Sequence, residues 1–329
     1  MQSLLKPPKT VIHEPCKSRN DQRLKHIIRP WEEGCDAQLA LIGVPFDEAI
    51  TAGGGRAGAS EGPDAIRQAL KRYGTTYCIE RNIDASELRI ADCGDLDVVT
   101  GDTAETHARL ISVVTELLQR GVLPITLGGG HDLSFATIRA LVTSSEAPVG
   151  GINVDAHLDL RPVSDGLITS GTPFRRALEE LSGGFSGERF VEMGLAGHSN
   201  AKAHYDYLKE VGGSMLPLAQ LRADGVEPSM LKALELAGEN AFFSIDIDAV
   251  QQAFAPGCSA PAPVGLTPDE ITNLAFLAGA SPTIKLFDLM EVCPRFDSDG
   301  RTARLAASIL SYFFTGFALR LLQMEAKHG

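Results

Sequence analysis

Short apolar runs, each separated from the next by a stretch of helical periodicity, recur along this chain, and that alternation admits few architectures. The runs are Ala37–Val44, Val122–Leu127, Ile152–Val154, Arg189–Leu195, Ala241–Asp248 and Ile284–Met290. Continuous apolar runs of this length suit strands covered on both faces, and strands alternating with helices specify a parallel sheet between helical layers. Helix starts lie between them. Pro63 suits the first turn of a helix through about Tyr73, Asp102 with Glu105 resembles a cap, and Thr267-Pro268-Asp269-Glu270 combines an N-cap, a first-turn proline and a capping box. Further helices are expected over 133–142, 173–181, 228–237 and 301–324, and from Asn200 to about Val211. No repeat or low-complexity linker divides the chain, so residues 37–329 read as one domain. Residues 1–36, with the breakers Pro7 and Pro8 and no sustained apolar period, read as an irregular arm that wraps or bridges subunits.

The strand ends carry the chemistry. In GINVDAHLDL, residues 151–160, Asp155, His157 and Asp159 stand two apart, and in an extended strand such residues share a face. Asp246 and Asp248 repeat the spacing, while His131 follows the run ending at Leu127 and Glu291 follows the last run. In a parallel sheet these ends lie on one edge, where such sheets bind ligands. The triplet taken alone also fits an acidic strand end facing water. Taken together, two imidazoles and four aspartates exceed the three protein ligands usual for a catalytic zinc, and suit a pair of ions sharing carboxylates. An oxygen-rich set without thiolate favours manganese, and such a pair generates a hydroxide nucleophile from bound water, so metal-assisted hydrolysis follows. The glycine-rich stretch Gly53–Gly58 lacks the Lys-Ser/Thr of a phosphate loop and reads as a flexible site loop.

A formal charge of −12 without a basic cluster argues against a nucleic-acid partner. The six cysteines lie far apart with no C-x-x-C pair, which fits a reducing cytoplasm. The N-terminus lacks a signal-peptide core, and no stretch reads as the roughly 20 apolar residues of a membrane span.

Four segments resemble the ureohydrolase superfamily of arginases, agmatinases and formimidoylglutamases: LGGGHD at 127–132, NVDAHLDLRP at 153–162, SIDIDAV at 244–250 with AFAPGCSAPAPVGLT at 253–267, and DLMEVCP at 288–294. The resemblance implies a three-layer α/β/α fold with an eight-stranded parallel sheet, residues 37–329 as its catalytic domain, a homo-oligomer, a small-molecule substrate and two Mn2+ per subunit. His131, Asp155, Asp159 and Asp246 would hold one ion, and Asp155, His157, Asp246 and Asp248 the other. Arginases and agmatinases carry a histidine in the loop after DAHxD; here that segment reads Thr169-Ser170-Gly171-Thr172-Pro173-Phe174, and Gln251 replaces an aspartate that often follows SxDxDxxD. SGTPF, Leu160-Arg161 and GGGH resemble formimidoylglutamase, which hydrolyses N-formimidoyl-L-glutamate to L-glutamate and formamide. On that resemblance Arg161, Ser170 and Asn200 contact substrate, Glu291 orients the amidine, and Asp248 also carries a proton to the leaving amine. His198 is either a substitute proton shuttle or a solvated loop residue. Other guanidino hydrolases that release urea, and a non-catalytic binding protein on the same fold, are the alternatives.

Overall fold

The computed structural model describes residues 1–328. It opens with β1 (Leu5–Lys6), the single turn α1 (Leu24–Ile27) and β2 (Ile28–Pro30), followed by β3 (Leu39–Gly43), α2 (Glu48–Ala52) and α3 (Gly62–Arg72). A small hairpin, β4 (Tyr77–Cys78) with β5 (Ile83–Asp84), precedes β6 (Ile90–Leu96) and α4 (Thr103–Gln119). Strict alternation then sets in, with β7 (Leu123–Leu127), α5 (Leu133–Ser144), β8 (Val149–Val154), α6 (Pro173–Glu180), β9 (Phe185–Met193), α7 (Lys202–Glu210) and β10 (Ser214–Leu216). Helices α8 (Leu218–Asp224) and α9 (Val226–Ala237) lead to β11 (Ala241–Asp246), α10 (Pro268–Ala280), β12 (Ile284–Met290) and α11 (Arg301–His328). The helix starts follow from local chemistry: the Asp102 side chain accepts from Glu105 N, and Thr267 and Glu270 form a reciprocal capping box.

Eight strands form one parallel sheet in the order β6-β3-β7-β12-β11-β8-β9-β10. Residues 1–36 are not irregular throughout. β1, antiparallel, and β2, parallel, both pair with β6 and cover the edge that it would otherwise expose. Two of the eight strands, β6 and β10, escape a reading for apolar runs. β10 has three residues, and β6 (IADCGDL) is interrupted by Asp92 and Asp95. Those carboxylates belong inside because Arg67 of α3 is fully buried against them, with Nε and Nη2 each 2.9 Å from an Asp92 oxygen and Nη1 2.5 Å from Asp95. A buried charge is tolerable only when paired in this way.

Side chains alternate between the two faces. Ile152, Val154, Phe243, Ile245, Phe287 and Leu289 pack with α3, α9, α10 and α11 on one side. Phe190, Phe242, Leu286 and Met290 pack with α4, α5 and α6 on the other. The expected absence of a span-length apolar stretch needs correction. Arg301–Ala326 is long and apolar enough to cross a membrane by length and composition. In the fold it is a core helix: Phe313 and Phe314 are fully buried, and α11 crosses α10 so closely that a Cβ on Gly279 or Gly316 would run into the facing backbone.

Candidate metal centre

Four neighbouring strands at the middle of the sheet, β7, β12, β11 and β8, end in the polar residues that the sequence singles out. Strand alternation is not what brings those side chains together. β8 stops at Val154 and β11 at Asp246, so Asp155, His157 and Asp159 lie in a loop and Asp248 in a 3-10 turn. Convergence comes from the aspartates themselves. Asp155 Oδ1 accepts from His157 N at 2.7 Å, and Asp246 Oδ1 accepts from Asp248 N at 2.8 Å. A short carboxylate bonding its own chain two residues on folds the backbone into a turn. Oδ1 of each aspartate fixes the turn, and Oδ2 of each faces His131. Asp159 (φ 46°) and Glu291 (φ 67°) take left-handed backbone that non-glycine residues rarely adopt and that concentrates at functional sites.

His131 Nδ1 lies 3.2 Å from Asp155 Oδ2, 3.0 Å from Asp159 Oδ2 and 3.3 Å from Asp246 Oδ2. His157 Nδ1 lies 3.3 Å from Asp155 Oδ1 and 3.2 Å from Asp248 Oδ2. Two groups result, His131/Asp155/Asp159/Asp246 and Asp155/His157/Asp248, with Asp155 in both. The buried atoms His131 Nδ1, Asp155 Oδ2 and Asp248 Oδ1 have no hydrogen-bond partner, although His131 and Asp155 stand side by side. Burial, then the charge of Asp155, pushes the Asp246 carboxyl up to about 6, and burial, then Asp246 and Asp155, raises Asp248 well above the usual range. Burial opposes protonation of His131, yet Asp155, Asp159 and Asp246 raise it well above an ordinary imidazole. Crowded buried carboxylates with unsatisfied oxygens are a donor set that fits hard divalent cations.

Polar residues that the sequence reading passed over hold this set in place. The Nε2–H of His131 faces Ser244 Oγ at 3.0 Å, Ser244 donates to Asp288, and Thr137 Oγ1 donates to the other Asp288 oxygen at 2.8 Å. This chain fixes the tautomer with Nδ1 free to bind. The one signal in sequence is the spacing Phe242, Ser244, Asp246 along one face of β11. Ser244→Ala should lower affinity for Mn2+ by about 10- to 100-fold, read by equilibrium dialysis, while the fold persists. Glu291 is tied to the same loop: its Oε1 accepts from His131 N at 3.0 Å. Burial, then Asp246 and Asp248, raises its carboxyl well above the usual range.

Above the centre is a cavity of about 280 Å³ lined by His157, Asp159, Asp246, Asp248 and Glu291 at its buried end and by Arg161, Ser170, Asn200 and His204 toward solvent. Gly53 and Gly55 of the glycine-rich loop reach it too. That loop is fastened, since Arg56 N donates to Ser259 Oγ at 2.8 Å and its guanidinium donates to the Ser259 and Cys258 carbonyls. Arg161 N donates to Gly171 O at 2.8 Å, and the arginine stem lies so close over Gly171 that a Cβ there would come within 2.9 Å of its Cδ. Asn200 lines the cavity, but its amide is engaged: Oδ1 accepts from Leu158 N at 2.7 Å and Nδ2 donates to Ala156 O at 2.9 Å. It fastens the loop that carries Asp155, His157 and Asp159. His198 is exposed and does not line the cavity, whereas His204, on α7, does.

A sequence profile of the arginase family matches residues 37–315. The chain belongs to the arginase family. Among arginase-family relatives, the formimidoylglutamase of Halalkalibacterium halodurans is 30% identical over 311 residues, covering 93% of this chain and 95% of that protein. The human mitochondrial guanidino acid hydrolase is 32% identical over 281 residues, covering 84% of this chain and 77% of that protein. The crystal structure of Trypanosoma cruzi formiminoglutamase with Mn2+ superposes with a TM-score of 0.86 at 40% identity, covering 91% of this chain and 99% of that one. The three-layer α/β/α fold expected from the sequence is that of this arginase-family structure.

Proposed function

We propose that this arginase-family chain hydrolyses N-formimidoyl-L-glutamate to L-glutamate and formamide at a pair of Mn2+ ions, as in histidine degradation. The observation that carries the reading is the cavity: its buried end is a carboxylate–histidine cluster fit for cations, and its outer wall presents Arg161 and Ser170 on a loop without histidine. Likeness to formimidoylglutamases over nearly the whole chain supports the same choice. His131, Asp155, Asp159 and Asp246 would hold one ion, with Asp155, His157, Asp246 and Asp248 holding the other. Bound there, the ions would supply Lewis acidity and acidify water into a nucleophile near neutral pH.

The chain's own residues do the rest. Glu291, anchored by His131 N, accepts hydrogen bonds from the formimino group and turns its carbon toward the centre. The water oxygen adds to that carbon as its C=N bond opens, giving a tetrahedral carbon and yielding a proton to Asp248; the bond from carbon to the glutamate nitrogen then breaks as the C=O of formamide forms. Asp248 passes a proton to the departing nitrogen, so that it leaves as the amine. Arg161 pairs in two parallel hydrogen bonds with a substrate carboxylate, and Ser170 adds a hydroxyl donor. Asn200 serves by holding the loop.

Arg161→Lys keeps the charge and loses the planar fork, so the Michaelis constant for formimidoylglutamate should rise about tenfold with turnover little changed; an unchanged constant removes Arg161 from recognition. The function itself is read from products. Manganese-loaded protein should release formamide and glutamate from formimidoylglutamate and no urea from arginine, agmatine or guanidinobutyrate. Urea from any of these moves the chain to the guanidino hydrolases, and inertness toward every one of them favours a binding protein.

A further inference from the structure

His204 is the one histidine at the cavity that belongs neither to the carboxylate cluster nor to the loops that carry it. It lies on the first turn of α7, four residues beyond Asn200, and its half-buried side chain lines the same cavity as Arg161. No hydrogen bond holds its ring to another described residue. The basic side chains lining the cavity are His157, Arg161 and His204, and His157 already faces Asp155 and Asp248. Only Arg161 and His204 are therefore left to meet an anionic group that enters above a cluster of aspartates.

The substrate read from this site has two carboxylates, and one guanidinium fork suits one of them. Asn200 does not serve the second, since both its Nδ2 hydrogens point to the carbonyls of Ala156 and Ala196, which leaves among the nearer side chains only neutral hydroxyls such as Ser170 and Ser199. Burial, then the fields of Arg161 and Arg175, lowers the pKa of His204, with Asp159 acting the other way. The imidazole thus stands beside Arg161 as a neutral N–H donor, without repulsion between two cations in a tight space.

We infer that His204 is a substrate-recognition residue, its imidazole N–H holding one carboxylate of a dicarboxylate amidine while Arg161 holds the other. This rests on the function proposed above and adds the residue that sets the preference for two carboxylates over one.

The test compares native, His204→Ala and His204→Gln proteins, all loaded with Mn2+, on N-formimidoyl-L-glutamate and on the single-carboxylate analogue N-formimidoylglycine. In His204→Ala the Michaelis constant for the dicarboxylate should rise about tenfold or more, as for a lost hydrogen bond to a charged group, with turnover within about threefold of native. The analogue should be handled as before, and His204→Gln, which keeps an N–H donor, should recover part of the loss. Equal losses on both compounds would show a purely structural role and overturn the inference. A fall in turnover at an unchanged Michaelis constant would overturn it too, by pointing to proton transfer. Unchanged kinetics would do the same. If the native protein releases no formamide, the functional reading itself fails and takes this inference with it, an outcome distinct from the other three.

Discussion

Asp155→Asn should leave the protein folded yet unable to hold either ion, with turnover falling by at least about 10³-fold. Asp155 lies in both of the donor groups that the geometry forms, and its side chain is fully buried. An asparagine keeps the oxygen that accepts from His157 N, so the turn survives. What it loses is the charge beside His131. Without the ions, water returns from a pKa of about 7 toward about 15.7 and ceases to be a competent nucleophile at neutral pH. Metal content by inductively coupled plasma spectrometry, with circular dichroism as the folding control, reads the result; two ions per chain and full activity would remove Asp155 from the centre. Asp248→Asn is the milder companion, touching one group only, and its full retention of metal and turnover would exclude both roles given to that residue.

Glu291→Gln is expected to keep the metal and lose about 10²-fold in turnover. The amide retains an oxygen for His131 N, so the loop after β7 should hold its shape. It can no longer present a charged acceptor to the formimino N–H groups, and interactions that position the reacting group count most in the transition state. The Michaelis constant should move less than the turnover number. A variant with native turnover would make Glu291 a loop fastener only.

How much of this is legible in the sequence depends on which physical signal each part carries. Strands β7, β8, β11 and β12 are mostly apolar, because helices cover both faces, so their ends and the polar groups beyond them stand out. Alternation along a strand does not explain the convergence, since the chain has left the sheet before it reaches Asp155, His157 and Asp248. The spacing of two survives because an aspartate that bonds the backbone two residues on produces the same separation. β6 is hidden by Asp92 and Asp95, whose partner Arg67 lies on a helix 25 residues from Asp92 in sequence. His204 carries no local signal, because only the packing of α7 beside the loop after β8 brings it to the cavity. Asn200 shows the reverse: its position suggests a substrate contact, and its hydrogen bonds give it to the loop.

The most direct test of the centre is anomalous diffraction at the manganese edge from crystals of the loaded protein. Two peaks are expected, one among His131, Asp155, Asp159 and Asp246 and one among Asp155, His157, Asp246 and Asp248. A single peak, or peaks away from the ends of β7, β8 and β11, would contradict the two-metal centre on which the proposed hydrolysis depends.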